Sequence, residues 1–171
     1  MSRVLDRRWR HVQAVAERAC RVAGGLGLDA DVLISAAWLH DIGYAPDLVQ
    51  TGFHPLDGAR FLRRSGVDKR VASLVAHHSC ALVEADERGL GDELASEFPR
   101  EESALADALW YCDMTIGPDG ETVPVTERLN EIRSRYGPDH VVTRFVDRAQ
   151  GEIVEAVRRT EERLAQAGAS L

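Results

Sequence analysis

A set of histidines and aspartates in this sequence has the residue types and the order of a metal-binding or catalytic site. The tetrapeptide His40-Asp41-Ile42-Gly43 lies at the centre of the set. The other members, in chain order, are His11, His54, His77, His78 and Asp113. Imidazole nitrogens and carboxylate oxygens together form sites for one or two divalent metal ions. Such a site points to hydrolysis or oxidation instead of passive binding.

A metal ion explains why His40 and Asp41 stand at the end of an apolar helical stripe. Burying an unpaired carboxylate costs free energy unless a counter-charge compensates it, and a divalent cation supplies that charge. The alternative is that both side chains only cap the helix, and His54 could also be only a cap. The complete ordered set favours the metal. Imidazole suits Fe, Mn, Ni, Co or Zn and carboxylates suit harder ions such as Mg, so the metal stays undetermined.

Helical geometry separates the candidates that stand close together in the sequence. His78 continues the apolar face of its helix, whereas His77 is rotated away from that face, so we expect His78 to be the ligand. His77 is then a catalytic or phosphate-facing candidate, or an exposed residue. Asp107 and Asp113 point to different faces of one helix. Because only Asp113 flanks the apolar stripe, Asp107 is expected to be a solvated acid.

The elements that must position these residues are helices, since apolar residues recur with helical periods and no sustained strand-type alternation occurs. The predicted helices run from about Asp6 to Ala23, Asp29 or Asp31 to His40, Pro55 to Gly66, Asp68 to His78, Glu101 to Asp113, Thr126 to Tyr136 and Val141 to Ala167. The acidic stretch from Cys80 to Arg100 is expected to be a mobile connection or a short helix over the site. The sequence therefore predicts an all-α fold with one domain over residues 1–171.

Length and composition exclude several classes of protein. A chain of 171 residues, 44% of them hydrophobic, is long enough for one domain with a sizeable core. The net charge of -7 leaves no basic surface of the kind that binds extended nucleic acid. Three cysteines without CxxC spacing and a charged N-terminal segment predict a cytoplasmic protein. No apolar stretch reaches the roughly 20 residues needed to cross a bilayer, so no membrane partner is expected.

Two further predictions concern partners. The last predicted helix carries an apolar stripe that could support a homodimer, although packing within the chain is the favoured explanation. The stripe consists of Ile153, Val154, Val157 and Leu164. Arg128 and Arg133, which follow the loop after Asp113, are candidates for binding the phosphate of a small substrate. The alternative is that both arginines only lie on a solvated face of their helix.

The order of these residues resembles a known pattern. His11, His40-Asp41 and Asp113 resemble the H…HD…D motif of the HD-domain superfamily of metal-dependent phosphohydrolases, and His40-Asp41-Ile42-Gly43 matches its HDIG variant as it stands. The resemblance spans roughly Arg8 to Thr115. It implies an HD-type helical bundle with the metal site in its centre, a motif-bearing core at about 8–115 and closing helices at about 126–167. The four motif residues would bind a first metal.

Two more histidines extend the resemblance. His54 and His78 look like the extra histidines of the dinuclear subgroup, which complete a second metal site. In that subgroup the aspartate of the HD pair, here Asp41, bridges both metals. This segment is similar to the bacterial HD-type diadenosine tetraphosphate hydrolases. It is more distantly similar to the HD-GYP cyclic dinucleotide phosphodiesterases, although no Gly-Tyr-Pro motif follows His78.

These observations predict metal-dependent hydrolysis of a phosphate ester or anhydride of a small molecule, expected to be a nucleotide. Metal-bound hydroxide would attack phosphorus, with Asp41 bridging the ions and His77 as the second catalytic candidate. One alternative is a mixed-valent diiron oxygenase of the same fold, against which the position of the only lysine, Lys69, away from His78 weighs. A second alternative is a non-catalytic regulatory module, which would gain little from several buried titratable groups.

Overall fold

The computed structural model describes residues 3–169, with side chains from residue 6 onward. Within these residues nine α-helices and no β-strand form, which confirms the predicted all-α fold. The helices are α1 (Arg3–Leu26), α2 (Ala30–Leu39), α3 (His54–Arg64), α4 (Lys69–His77), α5 (Ala81–Glu87), α6 (Gly91–Glu97), α7 (Ala104–Met114), α8 (Val125–Tyr136) and α9 (Val141–Gln166). Short 3-10 turns follow at Ile42–Tyr44, Pro46–Leu48 and His78–Cys80.

Side chains cap four of the helices, among them α9, where His140 Nδ1 accepts a hydrogen bond from Val142 N–H. The side chains of Asp29, Asp68 and Ser103 each accept a hydrogen bond from a backbone N–H in the first turn that follows them. The end of α1 differs from the prediction, because the helix continues past Gly24 and stops only before Gly27. Gly27 adopts a φ of 61°, the left-handed conformation that ends helices and that glycine tolerates best.

Two groups of buried apolar side chains hold the helices together. The larger group lies mainly between α1, α2, α7 and α9, and the smaller one between α3, α4, α5 and α6. Leu39, the last residue of α2, packs against both groups. The residues that follow Leu39 therefore enter the interior at the junction of the two groups, where side chains from many helices can meet.

The acidic stretch after Cys80 is folded and is not a loose connection. It forms α5 and α6, whose inner faces bury Ala85 and Leu94 without any exposed surface. Glu87 accepts hydrogen bonds from Arg144 and Arg148 of α9, at 3.0 and 2.6 Å. The expectation of a mobile connection is corrected by these contacts, and the helical alternative holds in the form of two short helices.

The apolar stripe of α9 faces the interior of its own chain. Ile153, Val157 and Leu164 belong to the larger core group. The stripe therefore needs no second subunit to cover it, and a homodimer stays a prediction. Within residues 3–169 no helix combines the length and apolar character that crossing a membrane requires.

Candidate metal centre

Six of the predicted residues converge at the junction of the two core groups. They come from five helices or their ends: His11 from α1, His40 and Asp41 after α2, His54 opening α3, His78 closing α4, and Asp113 in α7. Their side chains form two adjacent groups, each with three ligand atoms within 4.8 Å of one another. The first group is His11, His40 and Asp113, and the second is Asp41, His54 and His78.

Three of the four distances within the groups match the edges of metal coordination polyhedra, and the distance from Asp113 Oδ1 to His40 Nε2 is longer. In the first group Asp113 Oδ1 lies 3.1 Å from His11 Nε2 and 3.8 Å from His40 Nε2. In the second, His54 Nε2 lies 3.4 Å from Asp41 Oδ1 and 3.2 Å from His78 Nε2. Ligands about 2.0–2.1 Å from one ion are separated by about 3.0–3.4 Å. Asp41 Oδ1 is also 3.7 Å from His40 Nε2, so this oxygen lies between the two groups.

Three of the imidazoles are oriented by backbone carbonyls. Each lies with Nδ1 against a carbonyl oxygen: His11 at Gly117 (3.1 Å), His40 at Ala37 (2.8 Å) and His78 at Val75 (2.6 Å). An Nδ1–H that donates to a carbonyl leaves the lone pair on Nε2, which is the arrangement of metal-binding histidines. His40 Nε2 is buried and has no hydrogen-bond partner among the described residues. The residues therefore fit divalent ions in both groups.

Electrostatics keep most of the cluster in protonation states that bind metals. The exception is His11, where burial lowers the pKa of the imidazole but the hydrogen bond to Asp113 and its charge raise it overall. Burial by itself would raise the pKa of Asp41, but the charges of His40, Arg8 and His54 outweigh it and hold that pKa well below its ordinary value. Burial is likewise outweighed at Asp113, where the hydrogen bond from His11 leads the groups that lower the pKa. Burial lowers the pKa values of His54 and His78. Near neutral pH the carboxylates are thus ionised and these two imidazoles neutral.

A strained segment after α4 fixes the orientation of Asp113. Ser79 and Cys80 adopt φ values of 47° and 63°, which non-glycine residues rarely take. Such conformations cost on the order of 1–3 kcal/mol each and persist where the surroundings hold them. Ser79 Oγ donates a hydrogen bond to Asp113 Oδ2 at 2.5 Å, which leaves Oδ1 directed at the first group.

A stack of three side chains stands beside the second group. Arg8 Nη1 lies 2.5 Å from Asp41 Oδ2, and its guanidinium carbon lies 3.4 Å from the centre of the Tyr44 ring. Tyr44 in turn stacks on His54 with ring centres 4.0 Å apart. Sequence analysis missed the roles of Arg8 and Tyr44. The position of Arg8 one helical turn before His11 was the available signal for the first of them.

The cluster opens into a cavity of about 240 Å³. Arg7, Arg8, Arg128 and Arg135 line it, so cationic groups surround the metal ligands. Arg128 is only 8% exposed, and its Nη1 pairs with Glu131 Oε2 at 2.5 Å. Its Nε–H is buried and meets no acceptor within residues 3–169. Glu84, a second lining residue that the sequence did not single out, is buried and accepts two hydrogen bonds from Arg88.

The positions of the side chains correct the predicted roles of His77, Arg133 and Asp107. His77 is buried and its Nε2 lies 2.8 Å from the carbonyl oxygen of Phe98, outside the cavity, so it is not a catalytic group of this site. Arg133 bonds Asp147 on α9 and does not line the cavity, so it is not placed to bind substrate there.

Asp107 lies away from the cluster, as its helical position predicts, but it is not a solvated acid. Its carboxylate is 13% exposed and pairs with Arg159 and Arg163 of α9 at 2.6 and 2.7 Å. Because α7 and α9 are far apart in the sequence, no local pattern indicates these ion pairs.

Comparisons with known proteins agree with this geometry. The HD domain family model matches residues 8–113, a segment that contains all six clustered residues. The chain is 39% identical over 77 residues to a tRNA (cytidine(56)-2'-O)-methyltransferase of Thermoplasma volcanium, over 45% of this chain and 22% of that protein. It is 38% identical over 77 residues to ribonuclease Y of Mesoplasma florum (44% of this chain, 15% of the relative) and 38% over 91 residues to ribonuclease Y of Rhodopirellula baltica (53% and 15%).

These relatives share one segment with the chain, which spans 15 to 22% of their lengths. No solved structure matches the chain significantly. The matched family segment begins at Arg8, ends at Asp113 and covers well over half of the chain. The chain therefore belongs to the HD domain family.

Proposed function

We propose that this chain is a metal-dependent phosphohydrolase that cleaves a phosphate ester or anhydride of a small molecule of the nucleotide class. The observation that carries the proposal is the convergence of carbonyl-anchored imidazoles and two carboxylates in an arginine-lined cavity. Membership of the HD domain family supports it. The two adjacent ligand groups support a dinuclear site, in line with the resemblance to HD-type diadenosine tetraphosphate hydrolases.

The chain's own residues divide the work of such a reaction. Divalent ions held by the two groups would lower the pKa of a coordinated water toward 7 and offset charge on the phosphoryl oxygens. Asp41 and Asp113 supply the negative charge that retains the ions, and the carbonyl contacts of the imidazoles hold the ligand geometry. Arg8 and Arg128 supply cationic N–H donors suited to the phosphate of a bound substrate.

Charge and cavity size support a small substrate. The net charge of -7 opposes binding along an extended phosphate backbone. The cavity of about 240 Å³ is below the roughly 300–1,000 Å³ typical of pockets for drug-sized ligands. The matched segment is 15% of the length of the relatives named ribonuclease Y, so the match does not carry their substrate over to this chain. RNA therefore belongs in the test as a competing substrate.

The test is hydrolysis by the full chain after reconstitution with Mn, Fe, Ni, Co, Zn or Mg, with the nucleotide, oligonucleotide and phosphate products separated and identified by chromatography. Substrates are mononucleotides, dinucleoside polyphosphates and a short RNA. We expect turnover of a small phosphate by the native chain and loss of at least 100-fold in Asp41→Ala, because the oxygen shared by the two groups is removed. Asp47→Ala is the matched control, since Asp47 is an exposed aspartate six residues away that does not line the cavity.

Three outcomes would overturn the proposal. Oxygen consumption by an iron-loaded chain without hydrolysis of any substrate would favour a diiron oxygenase, which the same ligands permit. Full activity in Asp41→Ala would show that the reaction does not depend on the cluster. Absence of turnover with every metal and substrate, together with no metal binding, would favour a regulatory module.

A further inference from the structure

The cavity has a wall that the metal ligands do not form. Side chains of α8 and α9 line it with apolar and aromatic groups: Ile132, Tyr136, Val142 and Phe145. Both helices follow residue 113, where the HD domain match ends. This wall therefore lies outside the segment that the HD domain match covers.

The α8 face of this wall runs from a cation to apolar groups. Arg128, Ile132 and Tyr136 are spaced four residues apart, so they follow one another along the same face of α8. Arg128 lies near the cluster, since it lines the same cavity as His11 and Asp113. A ligand whose anionic end is at Arg128 would place its organic end along Ile132 and Tyr136.

We propose that the α8–α9 wall is a subsite for an aromatic ring of the substrate, with Arg128 binding the attached phosphate. Two observations carry this inference, which rests on the proposed function. Arg128 is a buried guanidinium whose Nε–H finds no acceptor within the described residues, and an anionic ligand in the cavity supplies one. Phe145 and Tyr136 offer ring surfaces beside it, and aromatic pairs favour stacked or edge-to-face contacts.

The chemistry of this wall also sets its selectivity. Ile132 and Phe145 are each 8% exposed and carry no hydrogen-bonding groups in their side chains. They select a ring by shape and burial and do not read donors and acceptors on its edge. One extra or missing methylene group in an apolar pocket changes binding by about 10- to 200-fold, and a phenyl ring differs from a methyl group by more than one such group. The ring is therefore preferred over a short alkyl group, and differences among nucleobases are small.

The experiment compares binding of phenylphosphonate and methylphosphonate to the metal-loaded full chain by calorimetry. Neither compound has a hydrolysable ester bond, so the result does not depend on turnover. We expect phenylphosphonate to bind at least tenfold more tightly. Ile132→Ala and Phe145→Leu should narrow this ratio and leave methylphosphonate binding unchanged. Arg128→Gln should weaken both ligands by a similar factor. Leu164→Ala, a buried apolar substitution on α9 outside the cavity, is the control and should preserve the ratio.

Equal affinity for the two phosphonates would overturn the inference, as would a ratio that Ile132→Ala and Phe145→Leu leave unchanged. A turnover arm uses 2-phenylethyl phosphate and ethyl phosphate, whose leaving groups are both primary alcohols. Preference for the phenyl ligand in binding, combined with no hydrolysis of any phosphate, would leave the subsite standing and refute the proposed function. Hydrolysis of both esters at the same kcat/KM, with equal affinity for the two phosphonates, would support the proposed function and refute the subsite.

Discussion

Gly43 of the HDIG segment is predicted to be essential because the backbone of α3 passes directly over it. A Cβ atom added at this position would lie 2.0 Å from the carbonyl oxygen of His54 and 2.7 Å from the backbone nitrogen of Gly58. Contacts under 3.0 Å essentially never occur for real Cβ atoms, so the two backbones must separate by about 1 Å. The Gly43→Ala variant therefore tests how the 3-10 turn after Asp41 and the start of α3 are held together.

The magnitude follows from which atoms clash. Overpacking typically costs about 1–3 kcal/mol, and it costs most where the neighbours cannot rotate aside. The nearest atoms here are all backbone, so we expect a loss of about 3 kcal/mol in the free energy of unfolding. His54 would also be displaced by far more than the tolerance of about 0.2 Å in metal–ligand distances. The second group should lose its ion, while the first, which contains His40, keeps its ligands.

The assay combines urea unfolding of the metal-free chain with metal analysis of the reconstituted chain. Gly24→Ala is the control, because a Cβ at Gly24 meets nothing within 4 Å and alanine is favoured over glycine in a helix by about 0.5–1 kcal/mol. We expect Gly24→Ala to be as stable as the native chain or slightly more so. A Gly43→Ala chain with native stability and a native ion count would refute this reasoning.

Three other predictions follow from single contacts. Asp107→Asn should destabilise the fold by about 1–2 kcal/mol near pH 7, since burial raises the pKa of Asp107 but hydrogen bonds from Arg159 and a second α9 arginine lower it overall. A carboxylate with a lowered pKa stabilises the fold only above its ordinary pKa of about 3.9, so the difference in unfolding free energy between the variant and the native chain should shrink below pH 4. Denaturant titrations measure this difference, and a difference that does not change with pH would contradict the ion pairs. Ser79→Ala should weaken metal binding about 10- to 100-fold by calorimetry, because Asp113 loses the hydroxyl that orients it; unchanged affinity would show that the bond has no such role. Of the three cysteines only Cys20 is exposed, so mass spectrometry of the native chain after brief alkylation should find one modified thiol, and two or three would contradict the burial of the others.

Periodicity and caps were enough to predict most of the helices from the sequence. Local signals define them, as at Asp29 and Asp68, whose side chains cap the following turn. The signal was weaker where the segment is short and acidic. There, α5 and α6 owe their stability to apolar contacts such as those of Leu94 and to the pairing of Glu87 with α9, which no local pattern reveals.

Residue type and order located the candidate ligands, because imidazoles and carboxylates on apolar faces are expensive without a partner. The same reasoning could not rank side chains by their tertiary surroundings. His77 is buried like a ligand, but its imidazole meets the carbonyl of Phe98. Arg8 gave no motif of its own, and its role depends on Asp41 and Tyr44, which only the folded chain brings to it.

We propose that the two adjacent ligand groups, with Asp41 Oδ1 between them, hold two divalent ions. Inductively coupled plasma mass spectrometry of the purified, reconstituted chain tests it most directly, with electron paramagnetic resonance following any iron. We expect about two ions per native chain and per Asp47→Ala chain, and a marked loss of bound metal in Asp41→Ala. No bound metal after reconstitution, or an unchanged ion count in Asp41→Ala, would contradict it.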